Sequence, residues 1–158
     1  MIFYNVQRQN VALSSSADFM TIIAGASRSL LVVEFELEGD GTASAYNEVG
    51  IYRVATAGST GAGAITPVTV ESPNMTGTTP ALAFSGLVYT GWTTQPTLGS
   101  LIQQVGVNSN GQRAFWRANA NLSNAITVPG GNNAAASLSV RGINGTGNVS
   151  VRVQFAEL

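Results

Sequence analysis

Short apolar runs punctuated by Gly, Asn, Ser and Pro recur along the whole chain, the pattern of strands joined by turns. The closing stretch, NVSVRVQFAEL, is the clearest case. Val149, Val151, Val153 and Phe155 alternate with Ser150, Arg152 and Gln154, a period of two that marks a strand with one buried face. Chain ends ordinarily fray, so this face needs a cover, and a sheet stacked on a second sheet supplies one. Upstream, SLLVVEFELEGDG places Leu31, Val33, Phe35 and Leu37 on one side and Val32, Glu34, Glu36 and Glu38 on the other, with GDG ending the strand.

IFYNVQ, FMTIIA, YNEVGIYRVA, ITPVTV, ALAFSGLVYT, QRAFWRA, AITV and ASLSVRG extend the series. In LIQQVGVN the residues Leu98, Leu101, Ile102 and Val105 fall at helical spacing, but the run is short and NSNG follows at once. A strand, turn and strand around Asn110-Gly111 is the better account. Asn144-Gly145 offers a second turn before the last strand. About ten short strands with no convincing helix and no internal repeat define an all-β class and argue against a propeller or solenoid. The pattern predicts an antiparallel jelly-roll β-sandwich, a single domain over residues 1–158, with residues 1–10 as an N-terminal arm or edge strand.

Composition fits this picture. Apolar residues make up 44% of the 158 positions and charged residues only 9%, which excludes the usual disordered composition. Polarity comes instead from 15 Ser, 15 Thr, 13 Asn and 7 Gln, suited to neutral strand faces and turns. All seven basic residues are arginine and the formal net charge is −1, so the footprint of a nucleic-acid or anionic-membrane binder is missing. Cysteine and histidine are both absent, which removes thiolate chemistry, the commonest general base and every Ser-His or Cys-His pair. MIFYNVQRQN lacks the pattern of a secretory signal, and no run approaches a membrane span. Read as a whole gene product, the protein is expected to be cytoplasmic in synthesis and soluble.

Candidate chemistry is sparse. Glu34, Glu36 and Glu38 are spaced about 7 Å apart along one strand face, a separation open to paired-carboxylate catalysis. With no other sign of a sugar cleft, a solvated face is the ordinary reading, and Arg53 or Arg152 is expected to pair with it. Glu38, Asp40, Thr42, Asn47 and Glu48 offer oxygen ligands for calcium, though not at EF-hand spacing. GSTGAGA lacks the lysine and helix of a phosphate-binding loop. Tyr46, Tyr52, Tyr89, Trp92, Phe115 and Trp116 suit a core, an interface or a sugar platform. As neighbours on a strand, Phe115 and Trp116 should point to opposite faces. Four glycosylation sequons, at Asn74, Asn121, Asn144 and Asn148, are at chance level for this composition.

Residues 101–158 combine LIQQVGVNSNGQRAFWRA, a hairpin followed by an aromatic pair, with a Val-Pro-Gly-Gly turn, an Ala/Ser-rich strand and a final alternating strand. In this they resemble the small jelly-roll decoration, or cement, proteins of tailed-phage capsids. The resemblance implies a tumour-necrosis-factor-like homotrimer on the capsid exterior. It would bind the major capsid protein between subunits and stabilise the shell, with no enzyme activity and no cofactor, nucleic-acid or membrane partner. On this reading Phe3, Tyr4 and Arg8, residue types common at interface hot spots, are candidates for capsid contact, unless the segment is an ordinary strand. Phe115, Trp116, Arg152 and Phe155 are candidates for the subunit interface. A carbohydrate- or receptor-binding module of a phage fibre or secreted protein, using Trp92 or Trp116, is the alternative.

Overall fold

The computed structural model describes residues 2–59, 68–69, 84–131 and 133–158. Eleven strands run through them: β1 Ile2–Ala12, β2 Asp18–Ile23, β3 Leu30–Asp40, β4 Tyr46–Thr56, β5 Val68–Thr69, β6 Leu87–Tyr89, β7 Thr97–Asn108, β8 Asn110–Arg117, β9 Ile126–Val128, β10 Ser137–Asn144 and β11 Asn148–Glu157. A single 3-10 turn, Ala134–Ala136, is the helical structure among the described residues, and no helix there is long and apolar enough to cross a membrane. The phosphate-loop-like stretch and the Asn74 sequon lie largely outside the described residues.

Two antiparallel sheets result. The first has the order β5-β1-β11-β3-β8, with β9 also on β3, and the second has the order β6-β2-β10-β4-β7. The eight longer strands pair first with last: β1 with β11, β2 with β10, β3 with β8 and β4 with β7. This is one long antiparallel ribbon rolled over on itself, its successive rungs falling alternately into the two sheets, which makes the fold a jelly-roll β-sandwich. No described strand pairs with the next one in sequence. The turns at Asn110-Gly111 and Asn144-Gly145 therefore carry the chain from one sheet to the other, which corrects the expected hairpin. Gly111 and Gly145 sit at φ +85° and +121°, where glycine costs least.

The alternation explains the core. Tyr4 and Val6 of β1, Phe35 and Leu37 of β3, and Val149, Val151, Val153 and Phe155 of β11 meet Met20, Ile22, Val49, Ile51, Val105, Val107, Leu138 and Val140 of the other sheet. Each such side chain contributes roughly 1.5–3 kcal/mol by leaving water. β11 is the middle strand of its sheet, flanked by β1 and β3, and this is why the closing stretch is ordered. Residues 2–12 are likewise a paired strand. β5 reaches them only at Tyr4 and Asn5, so they form a near-edge strand and no free arm.

The face assignment of β3 needs correction. Gln154 of β11 pairs with Glu34 but Phe155 pairs with Val32, so a bulge at Val33 shifts the phase by one residue. Leu30 and Val32 face the core together with Phe35 and Leu37, while Leu31 and Val33 turn outward. There they pack with Ala156 beneath Phe3, Ala118, Leu122 and Ala125, a satellite cluster roofed by the segment 118–125. Leu122 holds φ +58°, unusual for a residue with a branched side chain, and its packing on this cluster offsets the strain.

Candidate functional site

The register of β8, β3 and β11 brings the three glutamates together on the outer face of the first sheet. Glu34, Glu36 and Glu38 stand across from Arg117, Phe115 and Arg113 on one side and from Gln154, Arg152 and Ser150 on the other. Arg117 and Arg152 both pair with Glu34 at 2.5 Å. Arg152 also pairs with Glu36, and Arg113 pairs with Glu36 at 3.0 Å and Glu38 at 2.9 Å. The result is an unbroken ladder of alternating sign: Arg117, Glu34, Arg152, Glu36, Arg113, Glu38. The hydrogen bond that Arg113 donates to Glu38, and then the negative charges of Glu36 and Glu38, raise the Arg113 pKa.

Arg152 was expected here and Arg53 is elsewhere, donating to the Thr127 carbonyl at 2.7 Å. Arg113 and Arg117 were not foreseen. Paired beneath the arginines, Glu34 and Glu36 are buried on an outward face, while the side chains of Arg113 and Arg117 remain 60% and 62% exposed.

A second ionic group lies on the other sheet and is closed. Arg141 pairs with Asp18 at 2.5 Å and donates to the Pro96 carbonyl at 3.0 Å. Thr21 donates to the other Asp18 oxygen at 2.7 Å and accepts from the Trp92 indole at 2.8 Å, and Gln95 accepts from the Asp18 amide at 2.9 Å. This chain staples residues 92–96 onto β2 and β10. Trp92, 9% exposed and packed against Tyr89 with ring centroids 5.1 Å apart, is thereby a structural residue and not a sugar platform.

The remaining candidates separate. Phe115 and Trp116 do point to opposite faces: Phe115 is 60% exposed, with the Arg117 guanidinium 5.1 Å from its centroid, and Trp116 packs against the core. Phe155 is fully buried, so it has no surface to offer a neighbouring subunit, which corrects its assignment to an interface; Arg152 stays on the surface.

Tyr4, 1% exposed, is corrected in the same way. It stacks on Phe155 at 5.8 Å and meets Phe84 at 5.5 Å. Burial, followed by the negative charge of Glu157 and opposed by Arg28, raises its pKa. Glu157 itself is buried, paired with Arg28 at 3.3 Å and accepting from the Ser85 amide at 3.0 Å, which pins residues 84–85 to the end of β11. Phe3 is half-buried at the satellite cluster, and Arg8 reaches between the sheets to donate to the Phe19 carbonyl at 2.9 Å.

The candidate calcium ligands do not converge. Glu38 serves Arg113, and Asp40 accepts from the Asn10 amide at 3.1 Å and from the Ser150 hydroxyl. Asn47, fully buried, accepts from the Gly147 amide at 3.0 Å, and Glu48 accepts from the Tyr46 hydroxyl at 3.2 Å. That last bond is the main cause raising the Tyr46 pKa. Among the described residues no group of acidic side chains is placed to hold a metal ion.

Beside the ladder, over β1, β11 and β3, runs an open polar groove of about 610 Å³ lined by residues that include Gln7, Gln9, Asn10, Asp40, Arg113 and Ser150. It exists because the pairing of β1 with β11 lapses between Arg8 and Val11, where Asn10 takes φ +50°. Nothing in the alternating pattern of β1 announced that bulge.

The fold and this face define a jelly-roll sandwich whose outer surface is organised by arginine–carboxylate pairing. No protein-family model and no curated protein matches the sequence. Among solved structures, the crystal structure of the infectious bursal disease virus VP2 subviral particle aligns at 16% identity with a TM-score of 0.21, over 98% of this chain and 40% of that one.

Proposed function

We propose that the protein is a structural component of a virion, decorating the outside of a tailed-phage capsid as a homotrimer seated between subunits of the major capsid protein. The reading draws its support above all from how the chain uses its ionisable groups. Seven of its eight acidic residues are among those described, and every one of the seven is engaged by an arginine, a hydroxyl or a backbone amide. Such a surface is built to hold shape rather than to move protons. The closed roll, with its first and last strands side by side in one sheet, suits a passive shell part.

A protein that binds only the assembled shell stabilises that shell by mass action. Phe115, with the exposed arm of Arg117 beside it, is the surface we assign to contact with other copies. Phe3 and Arg8 remain the candidates for capsid contact, now without Tyr4. The expected result is a native mass three times that of the chain by light scattering, with co-sedimentation on mature heads of the cognate phage and a higher melting temperature for those heads. Failure to bind cognate heads overturns the reading, and a clean monomer removes its trimeric part.

A further inference from the structure

We infer that the groove over β1, β11 and β3 is a carbohydrate-binding site that takes an uncharged oligosaccharide. Its lining is made of planar polar groups: the amides of Gln7 and Gln9, the carboxylate of Asp40 and the guanidinium of Arg113. Groups of this kind present neighbouring donors or acceptors in a plane, which matches adjacent sugar hydroxyls that donate and accept together.

Charge selects the ligand further. Glu36, Glu38 and Asp40 in the lining are set against Arg113 and Arg152, with Arg8 close by but turned to the Phe19 carbonyl, so the groove has little net field to draw an anion or a cation. Its polarity also argues against an apolar ligand, which would leave these groups unpaired.

Asp40 is held ready. One of its oxygens accepts from the Asn10 amide and the Ser150 hydroxyl, which fixes the carboxylate and leaves the other oxygen for a ligand. The bulge that opens the groove is the second observation. It holds Asn10 in a left-handed conformation that a regular strand would avoid, at the point where the groove forms.

The inference does not rest on capsid binding. It is tested by presenting the full-length chain to a panel of neutral oligosaccharides (glucans, galactans, mannans and N-acetylhexosamine chains) beside sulfated and sialylated ones, and mapping any binder by NMR amide shifts. At least one neutral chain is expected to bind, with shifts gathered at Asn10, Asp40, Arg113 and Ser150 and an affinity that holds from low to high salt. The Gln7 and Gln9 side chains are exposed and make no hydrogen bond among the described residues, so the double variant Gln7→Ala/Gln9→Ala should keep its melting temperature while binding about tenfold more weakly or worse.

Binding to anionic chains alone, shifts elsewhere on the surface, undiminished binding by the double variant, or no neutral binder at all would each overturn the site. A second copy covering the groove in solution, seen as protection of those same amides in the unliganded protein, overturns it as well. Head co-sedimentation is read separately, so either proposal can fail alone.

Discussion

The two sheets carry the same chemistry in opposite settings. On the first, arginine and glutamate alternate across three strands on an outer face, where Glu34 and Glu36 are covered but Arg113 and Arg117 are more than half exposed. On the second, the Asp18 side chain is wholly buried and that of Arg141 nearly so, under the segment that Trp92 and Pro96 hold down. An exposed ion pair gains little because water and salt compete for both partners. In a buried pair, each charge depends on the other for its solvation, so the loss of one strands its partner. The open ladder is therefore free to serve recognition, while the closed pair is committed to holding the fold.

The contrast can be broken most forcefully at Arg141. Arg141→Ala leaves the Asp18 carboxylate buried without its cation and frees the Pro96 carbonyl, and should destabilise the protein by about 3–5 kcal/mol in urea denaturation. A loss below about 1 kcal/mol would mean that water reaches Asp18 and that the two sheets are alike in this respect. Trp92→Phe tests the same staple more gently. It keeps most of the ring and removes the indole donor to Thr21, for an expected loss of about 1 kcal/mol and an earlier cleavage of the 90–96 segment by protease. Arg113→Ala, on the open ladder, should cost no more than about 1 kcal/mol, and high salt should shrink that difference while leaving the Arg141 effect intact.

Strand positions were legible in the sequence because alternation is a local property. Partners were not, since a jelly roll joins residues far apart in the chain. The three glutamates announced that they needed cations. Of the two arginines expected, Arg152 is in place because β11 lies beside β3, while Arg53 belongs to the opposite sheet. Arg113 and Arg117 come from β8, whose place beside β3 no local signal reveals. The Asn-Gly turns showed where the chain reverses and were silent on whether the flanking strands pair.

Bulges were the second source of error. One extra residue at Val33 exchanges the buried and outward positions in the first part of β3, and an uninterrupted apolar run such as LLVV conceals the change, because either phase looks plausible there. Tyr4 and Phe155 were misjudged for a related reason. Aromatic residues suit both cores and interfaces, and only the three-dimensional surroundings separate the two.

The place of β11 also bears on biosynthesis. β1 and β3 are not paired with each other in the sheet; each is joined to it through β11, and residues 41–147 are made between β3 and that strand. As the nascent chain leaves the ribosome, the first sheet stands open at its centre, with Val6, Phe35 and Leu37 uncovered, until the last of these strands emerges. The domain thus closes only once β11 has been made, and a ribosome stalled before residue 148 exposes an unfilled strand slot to chaperones and to other nascent chains.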